Sequence, residues 1–239
     1  MRADLARSIR LFRAFRSEQT TPSAYYATLA ADTTAQLRHY VPLADKTVLD
    51  VGGGPGYFAD AFRRDGARCL CVDVDAGELA GQGTPGGGVL GSALDLPLAD
   101  DSFDVCFSSN VLEHVPDPWR MAAEMTRVTR PGGLIFLAYT NWLSPWGGHE
   151  TSPWHYLGGD RAARKYEDKH GKPPKNRFGE SLYPVSVADG LRWARTRTDA
   201  DLVDVLPRYL PWWWRPMLKV PIVREFATWN LVLVLRKRP

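Results

Sequence analysis

Between Lys46 and Tyr139 the apolar positions come in short runs that leave no polar face. TVLDV (47–51), ARCLCVDVD (67–75), VLGSALDL (89–96), FDVCFSSN (103–110) and LIFLAY (134–139) all have the length and β-branched content of strands. Between them lie stretches with helical spacing. YFADAFRRDG (57–66) closes on Gly66, and VPDPWRMAAEMTRVTR (115–130) carries Pro116 and Pro118 at its start and Pro131-Gly132-Gly133 as its stop. Residues 76–88 are rich in glycine and poor in apolar side chains, so only a short helix is expected there. Strands apolar on both faces, alternating with helices, predict a parallel sheet covered on both sides.

The flanks read differently. Leu5, Ile9, Phe12 and Phe15 recur at helical spacing among arginines at 2, 7, 10, 13 and 16. The faces are not cleanly separated, because Arg16 projects within about 20° of Leu5. A helix packed on the body is expected, with an interfacial membrane helix as the competing reading. A second helix is expected over 23–40. Regularity breaks at Asn141, and 141–186 is rich in His, Trp, Gly, Pro and basic residues. VSVADGLRWARTR then returns to helix, ADLVDVLPRYL holds a strand, PWWWRPMLKVPIVREF is aromatic and basic, and ATWNLVLVLRKRP ends in a strand. The last two strands are expected to pair antiparallel at an edge. The whole chain, 1–239, reads as one domain. It has a helical cap (1–44), a core (45–140), an insert or lid (141–186) and a C-terminal part of the sheet with a Trp-rich segment (187–239).

Thirty Lys and Arg against 27 Asp and Glu leave a net charge of +3, too mild to imply a nucleic-acid surface. Three cysteines cannot form the even disulfide framework of a small secreted domain. No apolar run approaches the roughly 20 residues that span a bilayer, and the N-terminus lacks a signal peptide's apolar stretch. A cytoplasmic setting is expected, with membrane association at the surface left open.

The sharpest chemical signal is DVGGGPGYF (50–58), directly after a strand and opening a helix, where a ligand meeting the backbone needs glycine. Gly52, Gly54 and Gly56 follow G-x-G-x-G. A nicotinamide fingerprint asks for glycine at 57, where Tyr57 stands, and no Lys-Ser/Thr completes a P-loop. Asp73, at the end of the second strand, is placed to accept from both hydroxyls of a ribose, with Asp75 the nearby competitor.

With GSALDLPLADDSFDVCFSSNVLEHV (91–115) and the later PGG, these residues resemble the class I S-adenosylmethionine-dependent methyltransferases, in the group acting on small molecules, sugars, quinones and lipids, with a type 11-like domain. The resemblance covers roughly 45–140. It implies an α/β fold: a Rossmann-like, doubly wound, seven-stranded and mostly parallel sheet with helices on both faces. It implies S-adenosyl-L-methionine as cofactor, with Asp50, Gly52, Gly54 and Gly56 at its methionine part, Asp73 at the ribose and Val74 beside it among the cofactor-binding residues. Ser92, Ala93 and Leu94 fall at the adenine, and Ser109 and Asn110 near the amino-acid end. The family often has Asp where this chain has Ser92, which weakens only the adenine contact.

Methyl transfer from a sulfonium asks mainly for alignment and exclusion of water, whereas a hydroxyl acceptor must also lose a proton. The insert begins beyond the carboxyl edge of the sheet and presents His149, Glu150 and His155 among aromatic rings, with His149 favoured as base. His114, after Glu113, is a second candidate. The histidine spacing fits no standard metal motif, so no metal ligand is expected. Cys69, Cys71 and Cys106 read as buried thiols. Trp212, Trp213 and Trp214, near Arg215 and Lys219, point to an apolar acceptor or peripheral membrane contact. The expected reaction is O-methylation of a small-molecule, glycan or lipid-linked acceptor. An RNA methyltransferase and a non-catalytic S-adenosylmethionine-binding regulator are the alternatives, and nucleic acid is the less expected partner.

Overall fold

The computed structural model describes residues 3–16, 20–80 and 88–239. Seven strands form one sheet: β1 (Thr47–Val51), β2 (Arg68–Asp73), β3 (Gly88–Leu90), β4 (Phe103–Ser109), β5 (Thr129–Tyr139), β6 (Ala200–Pro207) and β7 (Leu231–Lys237). Their order is β3-β2-β1-β4-β5-β7-β6. β7 runs antiparallel to both neighbours, and every other pairing is parallel. The order reverses between β1 and β4, which opens a crevice at their carboxyl ends of the kind ligands use in such sheets.

The absence of a polar face is explained by packing on both sides. Leu49, Val51, Cys106, Ile135, Leu137, Leu233 and Leu235 join one buried cluster, and their alternating neighbours Val48, Val105, Phe107, Leu134, Phe136, Val232 and Val234 join the other. The first cluster is closed by α5 (Pro118–Val128) and α7 (Val187–Thr196), through Met121, Met125, Val187 and Leu191. The second is closed by α1 (Leu5–Arg16), α2 (Pro22–Leu37) and α3 (Tyr57–Arg64), through Leu11, Leu29, Leu37, Phe58 and Phe62. Caps start two of these helices: the Asp117 side chain accepts from the Arg120 amide, and Ser186 accepts from the Asp189 amide.

Some boundaries move. α5 ends at Val128 and β5 already begins at Thr129, so Pro131-Gly132-Gly133 lies within the strand, beside a register shift opposite Phe103 and Val105. β3 keeps only three residues; Ser92 and Asp95 instead close a small turn. The glycine-rich stretch gives one short helix, α4 (Ala76–Ala80), and the rest of that expectation, residues 81–87, lies outside the described residues. The insert contains an unforeseen helix, α6 (Gly159–His170), which buries only Gly159 and Ala162. Its ends are favourable, with Asp160 in the first turn, Lys169 and His170 in the last and Gly171 at φ +67° closing it, and Gly159 packs on Phe178 while Lys169 lies over the Trp154 ring. The remaining short helix is α8 (Val223–Ala227).

α1 packs on the body, but with its chemistry inverted. Arg7, Ser8 and Leu11 face inward, while Leu5, Ile9 and Phe12 are exposed. The buried Arg7 guanidinium donates to both oxygens of Asp32 on α2, at 2.9 Å and 2.6 Å, and its Nη1 donates to the Arg208 carbonyl at 2.8 Å. Paired and fully hydrogen-bonded, the charge is tolerable inside. Among the described residues no helix is long and apolar enough to cross a membrane.

Candidate active site

The loop after β1 wraps around its own strand end. Gly52, Gly54 and Gly56 have φ of +71°, +48° and +84°, a region that penalises any side chain. At Gly52 a Cβ would also strike Val111. At Gly53 it would fall 2.9 Å from the Asp50 carboxylate, so the loop rests directly on Asp50. Burial, followed by the charge of Asp73, pushes the Asp50 carboxyl up to about 7.

Asp73 ends β2 and faces this loop: one oxygen accepts from the Gly54 amide at 2.9 Å, the other from the Asp75 amide at 3.0 Å. Asp75 is engaged elsewhere, accepting from the Gly77 and Glu78 amides at the start of α4. Val74, next along, is 70% exposed, a high value for valine beside a crevice. Ser92 accepts from the Leu94 amide at 3.1 Å, holding the turn that carries the buried Ala93.

At the end of β4, Ser109 Oγ accepts from the Arg208 guanidinium at 2.7 Å, and the Asn110 side-chain oxygen, at a residue with φ +57°, accepts from the Asn230 side-chain Nδ2 at 2.7 Å. Arg208 is the largest fully buried side chain. Its other terminal nitrogen donates to Thr33 Oγ1, its Nε has no partner, and no carboxylate is paired with it among the described residues. Its guanidinium also lies over the Phe58 and Tyr209 rings, at 6.0 Å and 5.7 Å.

Beyond Asn110 the chain enters a 3-10 turn, Leu112–His114, whose buried Glu113 accepts from the Thr140 amide at 2.9 Å through Oε1. Its Oε2 has no partner. His114 Nδ1 lies 2.7 Å from the Ser181 carbonyl and must donate to it, so in the neutral ring the lone pair sits on Nε2. The insert folds back so that the His149 ring stands 4.9 Å from the His114 ring, with its Nε2 buried and unpartnered. His149 adopts φ +49°. The preceding glycines permit this: Gly147 presses on the Trp142 carbonyl and Gly148 on the His155 ring. Burial, then neighbouring His114, lowers the His149 pKa to about 4, so the ring is neutral near pH 7; burial also raises that of Glu113.

The other two expected residues take different positions. Glu150 is held by Asn176, whose amide and side chain donate to its two oxygens at 2.7 Å and 2.8 Å. His155 is buried, with Nε2 donating to the Ser144 carbonyl at 3.1 Å. Both organise the insert, and the cluster that forms is Glu113, His114 and His149. The cysteines are buried, and burial raises the pKa of each.

A family model described as "Methyltransferase domain" matches residues 49–137, the stretch that builds the loop, Asp73 and the Glu113 turn. Relatives named "Uncharacterized methyltransferase" in Mycobacterium avium and Mycobacteroides abscessus are each 53% identical; the matches cover 98% and 99% of this chain and 96% of each relative. The chain belongs to the methyltransferase family. Among solved structures, an S-adenosylmethionine-dependent methyltransferase from Mesorhizobium loti matches with TM-score 0.60 at 21% identity, over 86% of this chain and 97% of that one. The [4+2]-cyclase SpnF matches with TM-score 0.54 at 18% identity, over 87% and 81%. These likenesses show the fold; one fold carries more than one chemistry, so the acceptor must be argued from the site.

As a methyltransferase, the protein takes S-adenosylmethionine as cofactor. The crevice suits it on three counts: backbone at positive φ where a side chain is excluded, a carboxylate at the end of β2, and beside Ser109 the Arg208 cation, with no carboxylate partner among the described residues. Arg208, Asn230 and Glu113 escaped the sequence reading. For Glu113 a signal existed, since it directly precedes His114. Arg208 has none in sequence, because only the fold brings the end of β6 to Ser109.

Proposed function

We propose that this methyltransferase transfers the methyl group to an oxygen of its acceptor, and that the Glu113–His114–His149 cluster promotes loss of the acceptor's hydroxyl proton. The carrying observation is the convergence of three ligand atoms within 4.8 Å of one another at the carboxyl edge of β4 and β5. Two of these residues also carry a buried atom without a partner among the described residues, Glu113 Oε2 and His149 Nε2. An N- or C-acceptor has less need of such a cluster, and leaving these atoms unpaired costs roughly 1–3 kcal/mol each.

Asp50 and the glycine loop would hold the methionine part of the cofactor, Asp73 the ribose, and Val74 with Ser92, Ala93 and Leu94 the adenine. Ser109, whose hydroxyl accepts from Arg208, keeps its own proton and would donate it to the cofactor carboxylate. When bound, S-adenosylmethionine supplies an electrophilic methyl on a sulfonium. The chain's part is to align the reactants and to promote loss of the acceptor's proton. The acceptor reading includes an apolar portion, because exposed Phe12 joins Trp229 and Trp146 in successive ring contacts of 5.9 Å and 6.3 Å beside the insert.

The test is a screen of hydroxylated small molecules, glycans and lipid fractions with methyl-labelled S-adenosylmethionine, with the methylated atom identified by mass spectrometry. An O-methyl product is expected, and His149→Asn should lower turnover by roughly 10²–10⁴ while affinity for S-adenosylhomocysteine stays within two-fold. A product methylated on nitrogen or carbon rejects the oxygen reading; full turnover in the variant rejects the cluster.

A further inference from the structure

The three converging atoms have the chemistry of a ligand set. Glu113 is 1% exposed, its Oε1 is anchored on the Thr140 amide, and its Oε2 is free. His114 is oriented by the Ser181 carbonyl through Nδ1, the outer-shell hydrogen bond that usually fixes the tautomer and ring angle of a ligating histidine. His149 Nε2 is buried and free. Two imidazoles and one carboxylate form a face with positions left open, a donor set suited to Zn²⁺ and similar divalent ions rather than to Mg²⁺ or Ca²⁺.

We propose that Glu113 Oε2, His114 Nε2 and His149 Nε2 bind one divalent transition metal ion of the zinc class. The inference rests on the oxygen-acceptor reading for its role and deepens it: an ion at this point polarises an acceptor oxygen and eases loss of its proton to solvent. Glu113 and His114 come from the Leu112–His114 turn, and His149 comes from the 3-10 turn His149–Thr151 of the insert. The site escaped a search for sequence motifs because its ligands come from two separate loops, and because Glu150, the acid adjacent to His149, is consumed by Asn176.

Binding also resolves the otherwise unpaired state of two buried polar atoms. Glu150 lies next to His149 in sequence but has both oxygens engaged by Asn176, so it serves as a control.

The experiment uses the full-length chain stripped with chelator, without cofactor or acceptor, titrated with Co²⁺ by visible absorption and with Zn²⁺ by competition. One equivalent should bind with d–d bands of a histidine–carboxylate site. His149→Asn, His114→Gln and Glu113→Gln should each weaken Zn²⁺ by about 100-fold, at the upper end of what losing even an outer-shell partner costs, while Glu150→Gln remains within a few-fold. Thermal melting identifies any variant that fails to fold, and the two histidine variants suffice if Glu113→Gln does. Absence of saturable one-equivalent binding, or binding that survives the histidine substitutions, overturns the proposal. Either result leaves the position of the transferred methyl untouched, since that is read from the product.

Discussion

At the scale of single residues, Asp50 couples the cofactor loop to protonation. Buried under Gly53 and near Asp73, its carboxyl is raised to about 7, far above an ordinary aspartate near 4. Between those two values the native state keeps a proton that the unfolded chain has released. Stability therefore falls as pH rises from about 4 to about 7 and levels off above. Asp50→Asn removes this term, so urea midpoints of the wild type should decline relative to the variant across that window. Parallel pH profiles would show that Asp50 is already ionised in the native protein. The first position of the glycine motif was legible in the sequence, because strand, loop and helix are contiguous. Its protonation state was not, because it depends on the non-local neighbours Asp73 and Arg63.

At the scale of elements, the βα alternation was legible because each strand is short and buried on both faces, which leaves apolar runs unbroken by polar residues. The sequence pattern misplaced β5 and α6 for one reason: glycine and proline mark irregular backbone, whereas strand pairing with β4 carries β5 through Pro131-Gly132-Gly133, and favourable ends with the Phe178 and Trp154 contacts hold α6 without an apolar face. Element ends also bring Arg208 to Ser109. Its side chain is buried, donates to Ser109 and Thr33, and has no carboxylate partner among the described residues. If it positions Ser109 for the cofactor carboxylate, Arg208→Met should weaken S-adenosylhomocysteine roughly ten-fold, in line with the loss of a charge-assisted hydrogen bond. Affinity for 5′-methylthioadenosine, which lacks the amino-acid end, should stay within two-fold. Equal losses for both ligands would assign Arg208 to packing alone.

At the scale of the whole molecule, several exposed apolar side chains lie on α1 and on the segments between β6 and β7. Leu5, Ile9 and Phe12 of α1, Trp212 and Trp213 of the 3-10 segment Trp212–Lys219, and Ile222 and Phe226 around α8 are all exposed. The Trp212 amide donates to the Ala3 carbonyl at 2.6 Å, which ties the tryptophan segment to the start of α1. Arg10, Arg13, Arg16 and Lys219 stand exposed on the same elements. Exposed apolar side chains beside cations suit the interface of an anionic bilayer, where tryptophan rings and basic heads each find their solvent. The sequence located the tryptophans and arginines but not the inversion of α1, because burying Arg7 depends on Asp32 waiting on α2. That inversion is what turns Leu5, Ile9 and Phe12 outward. Co-sedimentation with vesicles containing phosphatidylserine should therefore show binding that weakens with salt, and the double change Trp212→Ser and Trp213→Ser should reduce it about ten-fold without altering cofactor affinity. Binding only to neutral vesicles would remove the role of the arginines. No binding to either would leave the patch to the apolar part of the acceptor, in which case the same double change should raise KM for that acceptor and spare kcat.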